Sequence, residues 1–382
     1  MPNANAQEWT LDEVKQEVMR RVGHISPFQD VRRNDVEEIL KTLVSLDRDH
    51  WAEQWCRVGL ACEAKGDELV KQGADGKQIG DTYYHAFDYC RIGRYPVAST
   101  PGKKEAYRHS LRAFRKAAKY FDPTLHIVEV PFDGRKLIGY LQIPTTAAKP
   151  PVVMHWGGVD GWKEDRKRAS GALHRAGLAT VTIDMPGTGE SPVLYSDPTA
   201  ERTFSVWIDH LTQRNDIDGG RIGVWGGSFG AYWAAKLAFI EAKRLKGAVF
   251  QGGNVHYGFQ KEWLVPAFTT GASTYLFGPG SLFEARSQAM GVKTLDEFLK
   301  IAPRFSLKDQ GLLEKPSAPL LGVNGKRDDQ APVADIYLLM EHGNPKEARI
   351  YPEGGHMGRT RGMPEDEIAN MIAGWLKDKL AR

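Results

Sequence analysis

Residues 221–230, RIGVWGGSFG, hold a serine between glycines in the order Gly226-Gly227-Ser228-Phe229-Gly230. Where G-x-S-x-G joins a strand to a helix, the turn is tight and lifts the serine hydroxyl above the sheet. The context here fits: an apolar run precedes the pentapeptide, and AYWAAKLAF follows with helical character. A structural turn is the bland alternative. A serine hydroxyl becomes a useful nucleophile only when a base takes its proton. Among 11 histidines, His356 in YPEGGHMG follows the last strand candidate and sits among glycines that permit close packing. His155 reads better as a buttress of the HWGG loop. His256 lies in an inserted segment, where it could face substrate. The imidazole needs a carboxylate to fix its tautomer, and LLGVNGKRDDQAP supplies both Asp328 and Asp329, which spacing alone does not separate.

An oxyanion formed at Ser228 requires two donors. One is the amide of Phe229, at the start of a helix. The other is expected from HWGGVDG, with Val159 the first choice and Gly158 the second. A glycine-rich nucleotide cradle is the competing reading, but neither G-x-G-x-x-G nor G-x-x-x-x-G-K-[ST] occurs.

The elements that would position these residues are legible as a change of period. Apolar residues at three- and four-residue spacing predict helices over 11–22, 34–46, 50–65 and 103–120, so residues 1–122 read as a helical N-terminal domain. Its aromatic run, GDTYYHAFDYCRIGRYPV, suits a domain interface or a pocket wall. From residue 123 the pattern turns to strands. LHIVEVPF and KLIGYLQIP form a hairpin candidate about Asp133-Gly134, and strands then alternate with helices to the C-terminus. That alternation predicts an α/β class with a mostly parallel sheet covered on both faces. Residues 254–316 interrupt it as a lid insertion, and the substrate pocket is expected between the helical domain and the core, closed partly by residues 256–277.

With 382 residues, 41% hydrophobic and 26% charged, the chain is neither disordered nor fibrous. Its 51 basic and 48 acidic side chains leave a net charge of +3, which itself says little about partners; a nucleic-acid binder would concentrate its positive charge, and no such partner is expected. The basic run from Lys163 to Arg168, broken by Glu164 and Asp165, reads as a solvated helix face. No apolar stretch is long enough to cross a membrane, and the polar N-terminus has no leader pattern, so a cytoplasmic location is expected. Cys56, Cys62 and Cys90 suit helix packing in a reduced compartment. No H-E-x-x-H occurs, and neither a metal nor a cofactor is expected.

Ser228, His356, the loop HWGGVDGWKED and the turn Asp184-Met185-Pro186-Gly187-Thr188-Gly189-Glu190 together resemble one branch of the α/β-hydrolases. It contains 2,6-dihydroxypseudooxynicotine hydrolase and the FrsA-like esterases. The resemblance covers residues 100–382 and extends more loosely over the helical region. It implies an α/β-hydrolase fold with a helical N-terminal domain, to which the pattern of residues 254–316 adds the inserted lid. It also implies Asp328 as the acid, because relatives carry G-x-x-D with a proline four residues later, as in Gly325-Lys326-Arg327-Asp328 and Pro332. FrsA-like members can lack the serine, which this chain keeps.

The nicotine-pathway member of the branch cleaves a carbon–carbon bond beside a ketone. It carries an acidic residue in the segment where YGFQKEW places Glu262, at an offset that does not match cleanly, so Glu262 reads as a substrate contact or as a solvated charge. His256 and Tyr257 of the inserted segment are the other expected substrate contacts, with a structural role for His256 the alternative. The expected activity is therefore serine-dependent hydrolysis of a carbon–carbon bond next to a ketone, or of an acyl ester, in a small aromatic substrate. A general carboxylesterase or amidase is the alternative. A gated peptidase and a non-catalytic interaction protein on the same scaffold are weaker readings. A homodimer is carried as the expected assembly, with no residue pattern that fixes it.

Overall fold

A computed structural model describes residues 9–145, 148–272, 275–342, 346–364 and 366–381. The chain divides into two compact units, Glu8–Leu125 with Leu276–Ser281, and His126–Tyr275 with Leu282–Arg382.

The first unit is helical: α1 (Leu11–Arg21), α2 (Arg33–Thr42), α3 (Arg48–Lys71), α4 (Gly76–Arg94) and α5 (Pro101–Ala117). Thr10 and Glu13 close a capping box on α1, Asp47 and Asp75 cap α3 and α4, and Pro101 opens α5. Helix α2 stops short of the expected boundary, and α3 runs beyond it. The aromatic run is itself helical, within α4. Its periodicity is hidden because α4 is buried around nearly its whole circumference, leaving no polar stripe to mark a face. The rings pack inside this unit. Tyr83 donates to Asp67 at 2.6 Å, Phe87 meets Phe114 edge-on at 5.2 Å, and the Tyr89 hydroxyl donates to Asp35. Phe277, from the returning segment, packs edge-on against Trp51 at 4.9 Å.

The second unit is an α/β-hydrolase fold. Strands β1 (Leu125–Phe132) and β2 (Arg135–Gln142) form the hairpin expected from the sequence. At its turn Asp133 and Gly134 take φ of 46° and 72°, the paired left-handed conformation that such two-residue turns need. Then follow β3 (Pro151–Trp156), α6 (Lys167–Arg175), β4 (Ala179–Ile183), α7 (Ala200–Thr212), β5 (Asp218–Gly227), α8 (Ala231–Ile240) and β6 (Leu245–Gln251). The interruption after β6 is more helical than its glycines suggest, with α9 (Lys261–Thr269), α10 (Pro279–Met290) and α11 (Leu295–Ile301). The alternation closes with β7 (Leu320–Gly325), α12 (Ala334–Glu341), β8 (Lys346–Tyr351) and α13 (Glu367–Leu380).

The eight strands run in the order β1-β2-β4-β3-β5-β6-β7-β8. Strand β2 is antiparallel to β4, and the pairs from β4 through β8 are parallel. Because β3 lies between β4 and β5, successive connections leave it in opposite directions. The loops at the carboxyl ends of β3 and β5 part there, which is where open α/β sheets form binding crevices. One face of the sheet buries Val153, Trp225, Val249, Leu321 and Val323 against Leu173 of α6 and Ile372, Leu376 and Leu380 of α13. This core holds the strand ends rigid. Among the described residues, no helix is long and apolar enough to cross a membrane.

Candidate active site

Ser228 follows the last residue of β5 and takes φ of 53°, a left-handed conformation that a non-glycine residue rarely adopts. The surrounding packing imposes the turn. A β-carbon at Gly230 would lie 2.1 Å from the Gly157 carbonyl oxygen, so only glycine lets the elbow close against the end of β3. Trp156 Nε1 donates to the Gly230 carbonyl at 2.8 Å, tying the same two strand ends together.

The Ser228 hydroxyl lies 2.8 Å from His356 Nε2, and His356 Nδ1 lies 2.8 Å from Asp328 Oδ2. A carboxylate partner assigns the proton to Nδ1, leaving Nε2 to accept from the serine. Asp328 Oδ1 accepts the amides of Gln330 at 2.8 Å and Ala331 at 3.1 Å, and Oδ2 also accepts from Asn324 Nδ2 at 2.9 Å. Burial pushes this carboxyl up. The charge of His356 and the hydrogen bonds from His356, the Gln330 amide and Asn324 outweigh burial and hold it below the ordinary aspartate value. The arrangement brings Ser228, His356 and Asp328 together in one chain and leaves Asp329 outside it.

The loop bearing His356 is held from three strands. Trp225 Nε1 donates to Gln251 Oε1 at 2.9 Å, and Gln251 Nε2 donates to the Met357 carbonyl at 3.1 Å. The Met357 amide donates to Asn324 Oδ1 at 3.0 Å. Asn324 and Gln251 were not singled out from the sequence. Each is a buried polar residue at the carboxyl end of a mainly apolar strand, and that was the available signal.

Gly158 lies directly over the serine. A β-carbon there would be 2.9 Å from Ser228 Oγ and 3.2 Å from the Phe229 amide nitrogen. Bare backbone thus borders the space in front of the hydroxyl. Val159, next in the loop, is buried, and its carbonyl accepts from Trp162 Nε1 at 2.9 Å. The Phe229 ring stacks on Tyr195 at 4.4 Å.

Behind this loop the solvated face expected for 163–168 is corrected at its start, although Lys167 is exposed. Lys163 and Glu164 are buried. Lys163 Nζ lies 2.7 Å from Asp184, 2.8 Å from Glu164 and 2.8 Å from Glu190, so it clamps the HWGGVDGWKED loop to the Asp184–Glu190 turn. The Tyr140 hydroxyl adds a hydrogen bond to Glu164 at 2.9 Å. Alternating charge signs look like a surface helix in one dimension. Here Lys163 pairs with its neighbour Glu164 and with Asp184 and Glu190, more than 20 residues away. His155 is fully buried, stacked with Trp225 and 3.2 Å from Ser170 Oγ, in keeping with the buttress role.

Of the residues expected against substrate, His256 is partly buried with Nδ1 2.7 Å from Ser306 Oγ, while Tyr257 and Glu262 are exposed. Their segment is anchored by Asp335, whose carboxylate accepts the amides of Val255, His256, Tyr257 and Gly258 between 2.8 and 3.1 Å. Burial pushes the Asp335 carboxyl up despite those four donors.

A family model described as FrsA-like esterases matches residues 9–352. The chain belongs to the FrsA-like esterases. Within that family, the esterase FrsA of Photobacterium profundum is 25% identical over 356 residues, 90% of this chain and 80% of the relative. Esterase FrsA of Yersinia pestis (strain Pestoides F) is 27% identical over 309 residues, 79% of this chain and 71% of its own length. Among solved structures, 2,6-dihydroxy-pseudo-oxynicotine hydrolase superposes with a TM-score of 0.76 at 20% identity, covering 96% of this chain and 95% of that one. AbyA5 superposes with a TM-score of 0.69 at 21% identity, covering 99% and 96%. At those identities the likeness to the two structures is one of fold. The resemblance read from the GG loop, the Asp184–Glu190 turn and the elbow therefore leads to this FrsA-like branch.

Proposed function

We propose that this FrsA-like esterase is a cofactor-independent serine hydrolase that transfers an acyl group from a small, aromatic or ketonic compound to water. The observation that carries the reading is the continuous chain Ser228 Oγ, His356 Nε2, His356 Nδ1, Asp328 Oδ2, with both hydrogen bonds at 2.8 Å. In this mechanism His356 takes the hydroxyl proton as Ser228 Oγ attacks the acyl carbon, and Asp328 stabilises the imidazolium. The amides of Phe229 and Val159, with Gly158 alongside, receive the oxyanion. His356 then returns the proton to the leaving atom, which leaves an acyl-serine. Water, deprotonated by the same imidazole, releases the acid and restores Ser228.

With an ester the leaving atom is oxygen. With a ketone it is carbon, which departs as an enol or carbanion and takes its proton there. The carbon–carbon reading draws support from the fold shared with 2,6-dihydroxy-pseudo-oxynicotine hydrolase, and the ester reading from the family itself. Incubation with a matched aryl ester, anilide and aryl β-diketone, with products identified by mass, decides between them. Hydrolysis of at least one, absent in Ser228→Ala, is the expected result. Turnover of none of the three, or turnover that survives in Ser228→Ala, would overturn the reading.

A further inference from the structure

Arg286, in α10, is 2% exposed, the most buried arginine side chain of the hydrolase unit's described residues. Its Nη2 donates to the Gln330 carbonyl at 2.9 Å, whereas Nε and Nη1 have no hydrogen-bond partner among the described residues. Burial pulls its guanidinium down to about 10, against the opposing influence of Asp328, Tyr275, Tyr195 and Asp160, so it remains a cation at neutral pH. Buried donors are almost always satisfied, and a buried charge with open donors is a costly thing to retain for packing alone.

Its position gives those donors a use. The guanidinium carbon stands 5.1 Å from the centroid of the Phe229 ring and 5.7 Å from that of Phe268. Phe229 immediately follows Ser228. Gln330, which Arg286 holds by its carbonyl, gives its own amide to Asp328 at 2.8 Å. Asp160, whose charge acts on Arg286, follows Val159 in the loop over the serine. Arg286 therefore lies where the β3, β5 and β7 loops converge, with aromatic rings on its faces and free N–H groups on its edges. Guanidinium in a dry aromatic setting is suited to carboxylate, to which it gives short charge-assisted hydrogen bonds. A neutral oxygen could accept from the open donors, but only an anion would also balance the buried charge.

We propose that Arg286 binds a carboxylate of the substrate, so that the compound cleaved at Ser228 is an acid carrying a second, acyl function. The inference rests on Ser228 as the reacting centre and narrows the substrate class of that same site. The carboxylate can belong to the acyl part or to the leaving part. Three phenyl esters separate these sources: phenyl pentanoate, which is neutral; phenyl hydrogen glutarate, its near-isostere charged on the acyl side; and 4-(pentanoyloxy)benzoate, charged on the leaving side.

Binding of each to Ser228→Ala protein, measured by calorimetry, needs no change at Arg286. At least one charged ester should bind about tenfold or more tighter than phenyl pentanoate, in line with a charge-assisted hydrogen bond. Adding Arg286→Met should bring that ratio close to one, while Arg286→Lys, which keeps the charge without the planar fork, should keep part of it. Equal affinity for all three, failure of both charged esters to bind, or a ratio unchanged by Arg286→Met would overturn the assignment. So would an Arg286→Met enzyme with Ser228 intact whose kcat falls equally on charged and neutral esters with unchanged KM, the signature of a purely structural tie to Gln330. Charged-ester preference in a wild-type enzyme that hydrolyses none of these esters, nor the anilide and the β-diketone, would sustain Arg286 and sink the hydrolase reading. Hydrolysis without preference would do the reverse.

Discussion

Asn324 accepts the amide hydrogen of Met357 at 3.0 Å through its side-chain carbonyl while its NH2 group donates to Asp328 at 2.9 Å. One side chain at the end of β7 thus fixes both the carboxylate that meets His356 and the residue next to that histidine. Removing it should loosen the register between His356 and Ser228 without touching either. Asn324→Ala is expected to lower kcat by about 10²-fold, the scale of an ångström-level misplacement. It should destabilise the fold by about 1–3 kcal/mol through the polar groups it strands. Steady-state kinetics and a thermal melt on the same preparation check both.

Gly158 offers a test of the space in front of the serine. A β-carbon there would be 2.7 Å from Ser228 Cβ and 2.9 Å from its Oγ. Gly158→Val should fill the position the oxyanion would take and lower kcat by about 10²–10³-fold, the range seen when an oxyanion donor is lost. Circular dichroism should remain that of the parent. Full activity in this variant would place the oxyanion elsewhere.

Asp328 and Asp329 should differ sharply. Asp328→Asn turns the partner of His356 Nδ1 into a group that no longer enforces the tautomer, and kcat should fall by about 10⁴-fold. Asp329→Asn should stay within a few-fold of the parent. There is a stability counterpart. Asp328 titrates below its unfolded value of 3.8, so its ionised form stabilises the fold above that value, and the contribution fades as pH falls through the lower folded value. The difference in melting temperature between parent and Asp328→Asn should shrink as pH falls below about 4, near the ordinary aspartate value. A difference that does not shrink below about 4 would mean that the carboxyl is not held down as described.

Lys163 makes a purely structural prediction. Its ammonium, fully excluded from solvent, faces Asp184, Glu164 and Glu190. Lys163→Met should cost about 3–5 kcal/mol, because it strands buried carboxylates. Denaturant unfolding measures it, and a loss under about 1 kcal/mol would mean the cluster is relieved by protonation or water.

The residues whose chemistry depends on local sequence were readable: the elbow glycines around Ser228, the hairpin at Asp133-Gly134, and His356 after a final strand. Alternating apolar runs also exposed the parallel sheet, because buried strands are apolar whatever their partners. Helix α4 was hidden by its all-round burial, since periodicity registers contrast between faces. The Lys163 cluster was misread because a buried ion pair and a solvated charge run look alike until distant partners are known. Asn324 and Gln251 left only the mark of a polar residue closing a strand, and Arg286 left none, for a related reason. Each matters through a contact 20 or more residues away, to Met357 in two cases and Gln330 in the third, and no local pattern encodes such a pairing.

The most direct test of the central claim is the turnover number of Ser228→Ala on the best ester or ketone substrate, measured on protein whose melting temperature matches the parent. The hydroxyl at the head of the 2.8 Å chain is the proposed nucleophile. Its loss should leave only the acceleration contributed by binding and the oxyanion donors, a fall in kcat of several orders of magnitude. A folded Ser228→Ala enzyme that keeps more than about a tenth of the parent kcat would contradict the account, because a triad does not work without its nucleophile.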